Sequence, residues 1–182
     1  EYFRVADESL DPGADGWIVA FPDGFVLPPG RAVVLLSGTV EEFAAIYGFA
    51  PEAVVGIPGM GAEVMSTVHG TPGSPAVAAD LVALFYWDGA SDLVSDADLV
   101  FWGDGPRVDR NGVSVDGPDE GADASAYPAE TSAQDQLAAT APAPGEALIR
   151  EAPEGEQMAG GSGLDGTDET SEDLGMSVVA GV

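Results

Sequence analysis

The side chains in this sequence that can do chemistry are almost all carboxylates. There are 32 Asp and Glu against 5 basic residues, all of them Arg, with one His and no Cys. Oxygen donors in Gly-rich loops are what Ca²⁺ takes, six to eight of them at about 2.3–2.6 Å. Three groups are spaced so that some members can converge on one loop. They are Asp88, Asp92, Asp96 and Asp98; Asp116, Asp119, Glu120 and Asp123; and Asp165, Asp168, Glu169 and Glu172. None follows the D-x-D-x-D-G order of an EF-hand. The competing reading, which the sheer abundance of acids favours, is a solvated surface, with Asp168-Glu169 merely suiting a helix N-terminus. Mg²⁺ fits less well, because it keeps its waters and rarely accepts an all-protein cage.

Enzyme chemistry finds little to work with. His69 lies in a Gly/Pro-rich stretch, and no Gly-x-Ser-x-Gly elbow accompanies it, so a hydrolase triad has no support. Lys and Cys nucleophiles are excluded by composition. A phosphate-cradling Gly-x-x-x-x-Gly-Lys loop is excluded with them. Paired carboxylates suit glycoside hydrolysis, yet acids are so frequent that no pair is singled out. The expectation is a non-enzymatic chain, with a hydrolase as a distant alternative.

The elements that would position these acids are short. Leu81 to Trp87 is a run of seven apolar residues, too short to span a bilayer and right for a buried strand. Asp88-Gly89 breaks it with turn chemistry, since Asp caps its own turn and Gly accepts positive φ. Asp98 to Trp102 reads as the returning strand, closed by Gly103-Asp104. The product is an aromatic hairpin or arch with carboxylates at one end. Phe85, Trp87, Phe101 and Trp102 suggest a carbohydrate platform, but on such strands rings more often form core.

Upstream, strands are expected at Glu1–Val5, Trp17–Ala20, Phe25–Leu27 and Ala32–Leu36, the last suited to the centre of a sheet. Thr39-Val40-Glu41-Glu42 is a capping-box signature, and Gly48 closes a helix of about two turns. Residues 51–80 read as a long loop excursion with one strand near 63–68. Residues 116–145 read as another, with a helical turn near 132–138. Later strands are expected at 113–115, 146–150 and 177–182. The apolar end, Met176 to Val182, is a candidate for exchange between subunits by strand addition. One domain spanning 1–182 is the natural count at this length.

Composition narrows the partners. A net charge of −27 leaves no basic patch to release counterions from nucleic acid or to bind anionic membrane surfaces. No run of apolar residues is long enough for a transmembrane helix. Self-repulsion on this scale destabilises a compact state unless salt or bound cations screen it. Salt adaptation and Ca²⁺ are compatible answers. Disulfides and thiolate metal sites are impossible without Cys. A strand beginning on the first residue suggests that an upstream segment was removed.

The order of the motifs carries a resemblance. FYWDGASDLVSDADLVFWGD, followed by VDRNGVSVDGPDEGADASAY, SAQDQ, EALIR and GTDETSEDL, is similar to the bacterial branch of the lamin-tail-domain family. DGW at Asp15–Trp17, then FPDGFVLPPGRAVVLLSG and FAAIYG, resembles that family's first strands and turn. The expected opening strand with an Asn-Pro turn is present only as EYFRVAD. The resemblance covers nearly the whole chain and implies an all-β, immunoglobulin-like β-sandwich with long loops and one or two short helices. It also implies an extracellular or cell-surface protein of a prokaryote, with no catalytic residues to carry over. The expectation is a structural or adhesive module that assembles with itself into an oligomer or filament, or joins other cell-surface components. A polysaccharide- or protein-binding module is the alternative.

Overall fold

The computed structural model describes residues 16–30, 34–55, 59–76, 78–104, 114–116, 123–127, 138–143, 145–150 and 174–178. Among them the chain is mostly strand, with one helix and no barrel, which is the all-β class. Contacts gather them into two compact units, one within residues 16–74 and one within 75–178. No helix among the described residues is long and apolar enough to cross a membrane.

In the first unit, β1 (Ile18–Ala20) pairs antiparallel with β5 (Ser66–His69). A three-stranded sheet is built from β2 (Leu35–Ser37), β3 (Ala53–Val55) and β4 (Glu63–Val64), all parallel. Parallel neighbours need a crossover, and α1 (Val40–Tyr47) supplies it between β2 and β3. The helix starts and stops where its caps require. Thr39 has extended dihedrals and its carbonyl accepts from Phe43 N–H at 3.1 Å, but its side chain makes no capping bond. At the other end Gly48, with φ 78°, donates to the Ala44 carbonyl at 2.9 Å, as a left-handed C-terminal residue does. The capping box is therefore half realised: position and glycine hold, while the Thr39 hydroxyl is not used.

The centre of this unit is β3. Ala53, Val54 and Val55 are all buried, whereas Leu35 of β2 is exposed. The continuous apolar run at 32–36 thus marks the wrong strand as central. Ala53, Val55 and Met65 form a small core, against which Trp17, Val19, Phe21 and Phe25 pack. Phe21 and Phe25 stack at 4.8 Å because Pro22–Phe25 closes a turn through Gly24, whose φ is 80°. Residues 51–80, expected as an excursion, contain β3, β4 and β5.

The second unit is dominated by β6 (Asp80–Tyr86) and β7 (Ser95–Trp102), an antiparallel pair running from Asp80↔Trp102 to Tyr86↔Ser95. A register shift falls where Leu84↔Asp98 gives way to Phe85↔Asp96, so Ala97 is the extra residue of a bulge. Phe101 is fully buried and packs with Leu81, Ala83 and Ala138. Ala139 bridges to Trp102, donating to the Phe101 carbonyl and accepting from Gly103 N–H, both at 3.0 Å. Two further antiparallel pairs complete the description: β8 (Ser114–Val115) with β9 (Ser125–Ala126), and β10 (Glu146–Arg150) with β11 (Leu174–Val178). The late strand therefore includes residues 174–178 and pairs within its own chain. The expected strand at Glu1–Val5, the helical turn over 132–137 and residues 179–182 lie outside the described residues.

Candidate functional site

The acidic loop between β6 and β7 is the feature on which sequence and structure meet. Asp88 follows the last apolar residue of the β6 run, and its carboxylate closes the loop on itself. Oδ1 accepts from Ala90 N–H at 2.9 Å and from Ser91 N–H at 2.8 Å, while Oδ2 accepts the Ser91 hydroxyl at 2.6 Å. Trp87 Nε1–H donates to the Ser91 carbonyl at 2.9 Å, pinning the loop from the opposite side. Gly89 supplies the left-handed residue in the middle, with φ 84°. The Ser91 hydroxyl, then the backbone amides of Ser91 and Ala90, hold the Asp88 carboxyl down to about 2, although the group is exposed.

This loop carries a pH prediction. A carboxyl depressed from its ordinary 3.8 to about 2 stabilises the folded state fully above the unfolded value. That contribution is lost as pH falls through about 4 towards 2. The stability difference between the wild type and Asp88→Asn should therefore be largest at neutral pH and close across that window. Urea melts at pH 7, 4 and 2 measure it. Taking the difference removes the repulsion that all other carboxylates shed on protonation, and a gap unchanged with pH rejects the assignment.

The places of the other expected ligands that fall among the described residues are these. Asp92 is buried, at 7% exposure, and is engaged rather than open to solvent. Asp96 and Asp98 lie on β7, on either side of the Ala97 bulge. Asp116 follows β8, half-buried, with Oδ1 shielded and without a hydrogen-bond partner, and Asp123 is exposed just before β9. Asp119, Glu120, Asp165, Asp168, Glu169 and Glu172 lie outside the described residues. Among the described residues no three His, Asp or Glu side chains stand close enough to hold a metal ion. Asp88 and Asp92 from the first group have structural surroundings of their own.

His69 ends β5, half-buried, paired with Ile18 in the ladder. Phe101 and Trp102 are buried, and Phe85 and Trp87 are half-buried. Trp102 Nε1–H is satisfied by the Ala76 carbonyl at 3.1 Å, which fits a core residue better than a sugar platform. Sequence reasoning missed Asp80. Its two oxygens accept from Ala76 N–H at 2.6 Å and Leu81 N–H at 2.8 Å, fixing the chain as it enters β6. An Asp directly before an apolar run is the signal that was there to read.

It also missed the outer face of β6. Leu81, Ala83 and Phe85 are half-buried, while Val82, Leu84 and Tyr86 stand exposed at 47%, 49% and 61%. Because every residue from Leu81 to Trp87 is apolar, the alternation of a half-buried strand leaves no trace in the sequence. In comparisons with known proteins, no family profile, curated protein or solved structure matches the chain.

Proposed function

We propose that this chain is a non-enzymatic structural or adhesive module, built as a lamin-tail-like, immunoglobulin-like sandwich and working outside a prokaryotic cell among cations. The observation that carries the reading is the balance of 32 acids to 5 arginines and no lysine, arranged around small cores. Such a surface stays soluble and unreactive, and it needs counterions to stay compact. Those counterions come from the medium or from a partner's basic groups. The self-closed Asp88 loop supports diffuse screening over one dedicated ion there, because both its oxygens already accept hydrogen bonds. Binding of a protein or polysaccharide is the second reading, favoured by the exposed apolar face of β6.

Two measurements test this. Raising NaCl from 0.05 to 2 M, roughly a fall in Debye length from above 10 Å to below 3 Å, should raise Tm by on the order of 5 °C. EDTA at fixed ionic strength should leave Tm where it is. A large drop with EDTA instead assigns an ordered Ca²⁺ among the acids. Surface binding to immobilised polysaccharides and to immobilised copies of the chain, run beside glycosidic, ester and phosphodiester substrates, separates module from enzyme. Saturable binding without turnover is the expected result, and turnover proportional to protein overturns it.

A further inference from the structure

We infer that the outer face of the β6–β7 hairpin docks a short extended segment of a partner that carries apolar residues at alternate positions and basic residues at its two ends. The inference rests on the binding reading and names the partner's chemistry. Val82, Leu84 and Tyr86 repeat along one face of β6 at the spacing of alternate strand residues, about 6.6 Å apart, and all are exposed. Val100, opposite Val82 in the ladder, belongs to the same face. Three apolar side chains left outward on a seven-residue strand are unusual for a surface otherwise so acidic, and clustered apolar surface marks contact sites.

Size and charge select the occupant. The three side chains offer a few hundred Å², well short of the roughly 800 Å² per partner of a stable globular interface. A second copy docking through this face alone is too small a contact, and it would also bring two chains of net charge −27 together. A strand-sized segment fits the area. Acidic residues surround the apolar row: Asp88 lies just beyond Tyr86, Asp98 stands opposite Leu84 in the ladder, and Asp80 and Asp104 lie at the opposite end, where Asp80 pairs with Trp102. The Asp88 carboxylate accepts three hydrogen bonds within its own loop, so it acts on a basic residue there as a fixed, exposed negative charge rather than as a ligand that must turn towards it. Apolar side chains on the face with Arg or Lys reaching the acids at its ends would remove water from the first and supply counterions to the second.

The test uses the full chain and three labelled eight-residue peptides followed by fluorescence anisotropy at 0.1 M NaCl. The first, Arg-Val, carries Arg at both ends around alternating Val and Ser; the second, Arg-Gly, replaces each Val by Gly; and the third replaces each Arg by Glu. The first should bind saturably, at least tenfold tighter than the second, and the third should not bind. Leu84→Ser and Tyr86→Ser should each lose tenfold or more for the Arg-Val peptide. Val26→Ser, at an exposed residue of the other unit, should lose nothing. Far-UV circular dichroism and Tm of each variant confirm that these exposed positions leave folding intact. Equal binding of the Arg-Gly peptide, or insensitivity to Leu84→Ser, reduces the effect to charge and overturns the inference. Concentration-dependent self-association abolished by Leu84→Ser overturns it in favour of a second copy. Polysaccharide binding with no peptide binding removes the inference while leaving the module reading standing.

Discussion

Phe101→Ala should destabilise the protein by about 3–5 kcal/mol, the range for emptying a fully buried aromatic site. Phe101 is at 0% exposure, and its neighbours Leu81, Ala83 and Ala138 are only partly buried. Two of those described neighbours are alanines, too short to reach into the space the ring would leave. The contrast is Tyr86→Ala on the opposite face of the same hairpin. Its ring is exposed, and its loss should stay within about 0.5 kcal/mol. Urea unfolding followed by tryptophan fluorescence gives both values. A domain stability of about 5–15 kcal/mol makes the first change a large share of the total. At low salt, where repulsion is least screened, Phe101→Ala should fold poorly. Similar costs for the two substitutions would mean that Phe101 is not the centre of its unit.

How much was legible follows from which signals are local. The helix Val40–Tyr47 is written in its ends, Thr39 and Gly48, and the structure places both caps there. The hairpin is written in two apolar runs interrupted by Asp88-Gly89, and β6 and β7 pair as that pattern requires. Parallel pairing of β2, β3 and β4 is not written anywhere local, because it depends on where a crossover returns the chain. Ala53-Val54-Val55, the buried centre of its sheet, is a short apolar stretch between Pro51 and Pro58 that looks like loop punctuation.

The acids show the same division. Asp88 as the cap of its own turn was readable from Asp-Gly with Ser91 three residues on. Convergence of Asp88 with Asp92, Asp96 and Asp98 was not readable, since spacing states only what a loop permits. The structure gives Asp88 to its own loop, buries Asp92 and threads the other two along β7 past a bulge that no residue type announced.

Gly103→Ala should cost about 3 kcal/mol, roughly three times the cost of Gly89→Ala, although both glycines have the same backbone handedness. Gly103 has φ 66° and Gly89 φ 84°, so each substitution forces an L residue into the left-handed region at about 1 kcal/mol or somewhat more. The surroundings then separate them. A Cβ on Gly89 would meet nothing within 4 Å. On Gly103 it would run into the Ala78 carbonyl oxygen and lie 3.1 Å from Ala79 Cβ, so backbone must move. That movement strains the Gly103 N–H bond to the Ala139 carbonyl and the return bond from Ala139 N–H to Phe101, each 3.0 Å, and overpacking of this kind adds about 1–3 kcal/mol. Thermal melts of the two variants side by side decide the matter. If they lose the same stability, handedness alone sets the cost, and Ala78–Ala79 is not packed against the end of β7. If Gly103→Ala loses far more, the close approach that ties Ala78 and Ala79, β7 and Ala139 together is what holds Phe101 in its core.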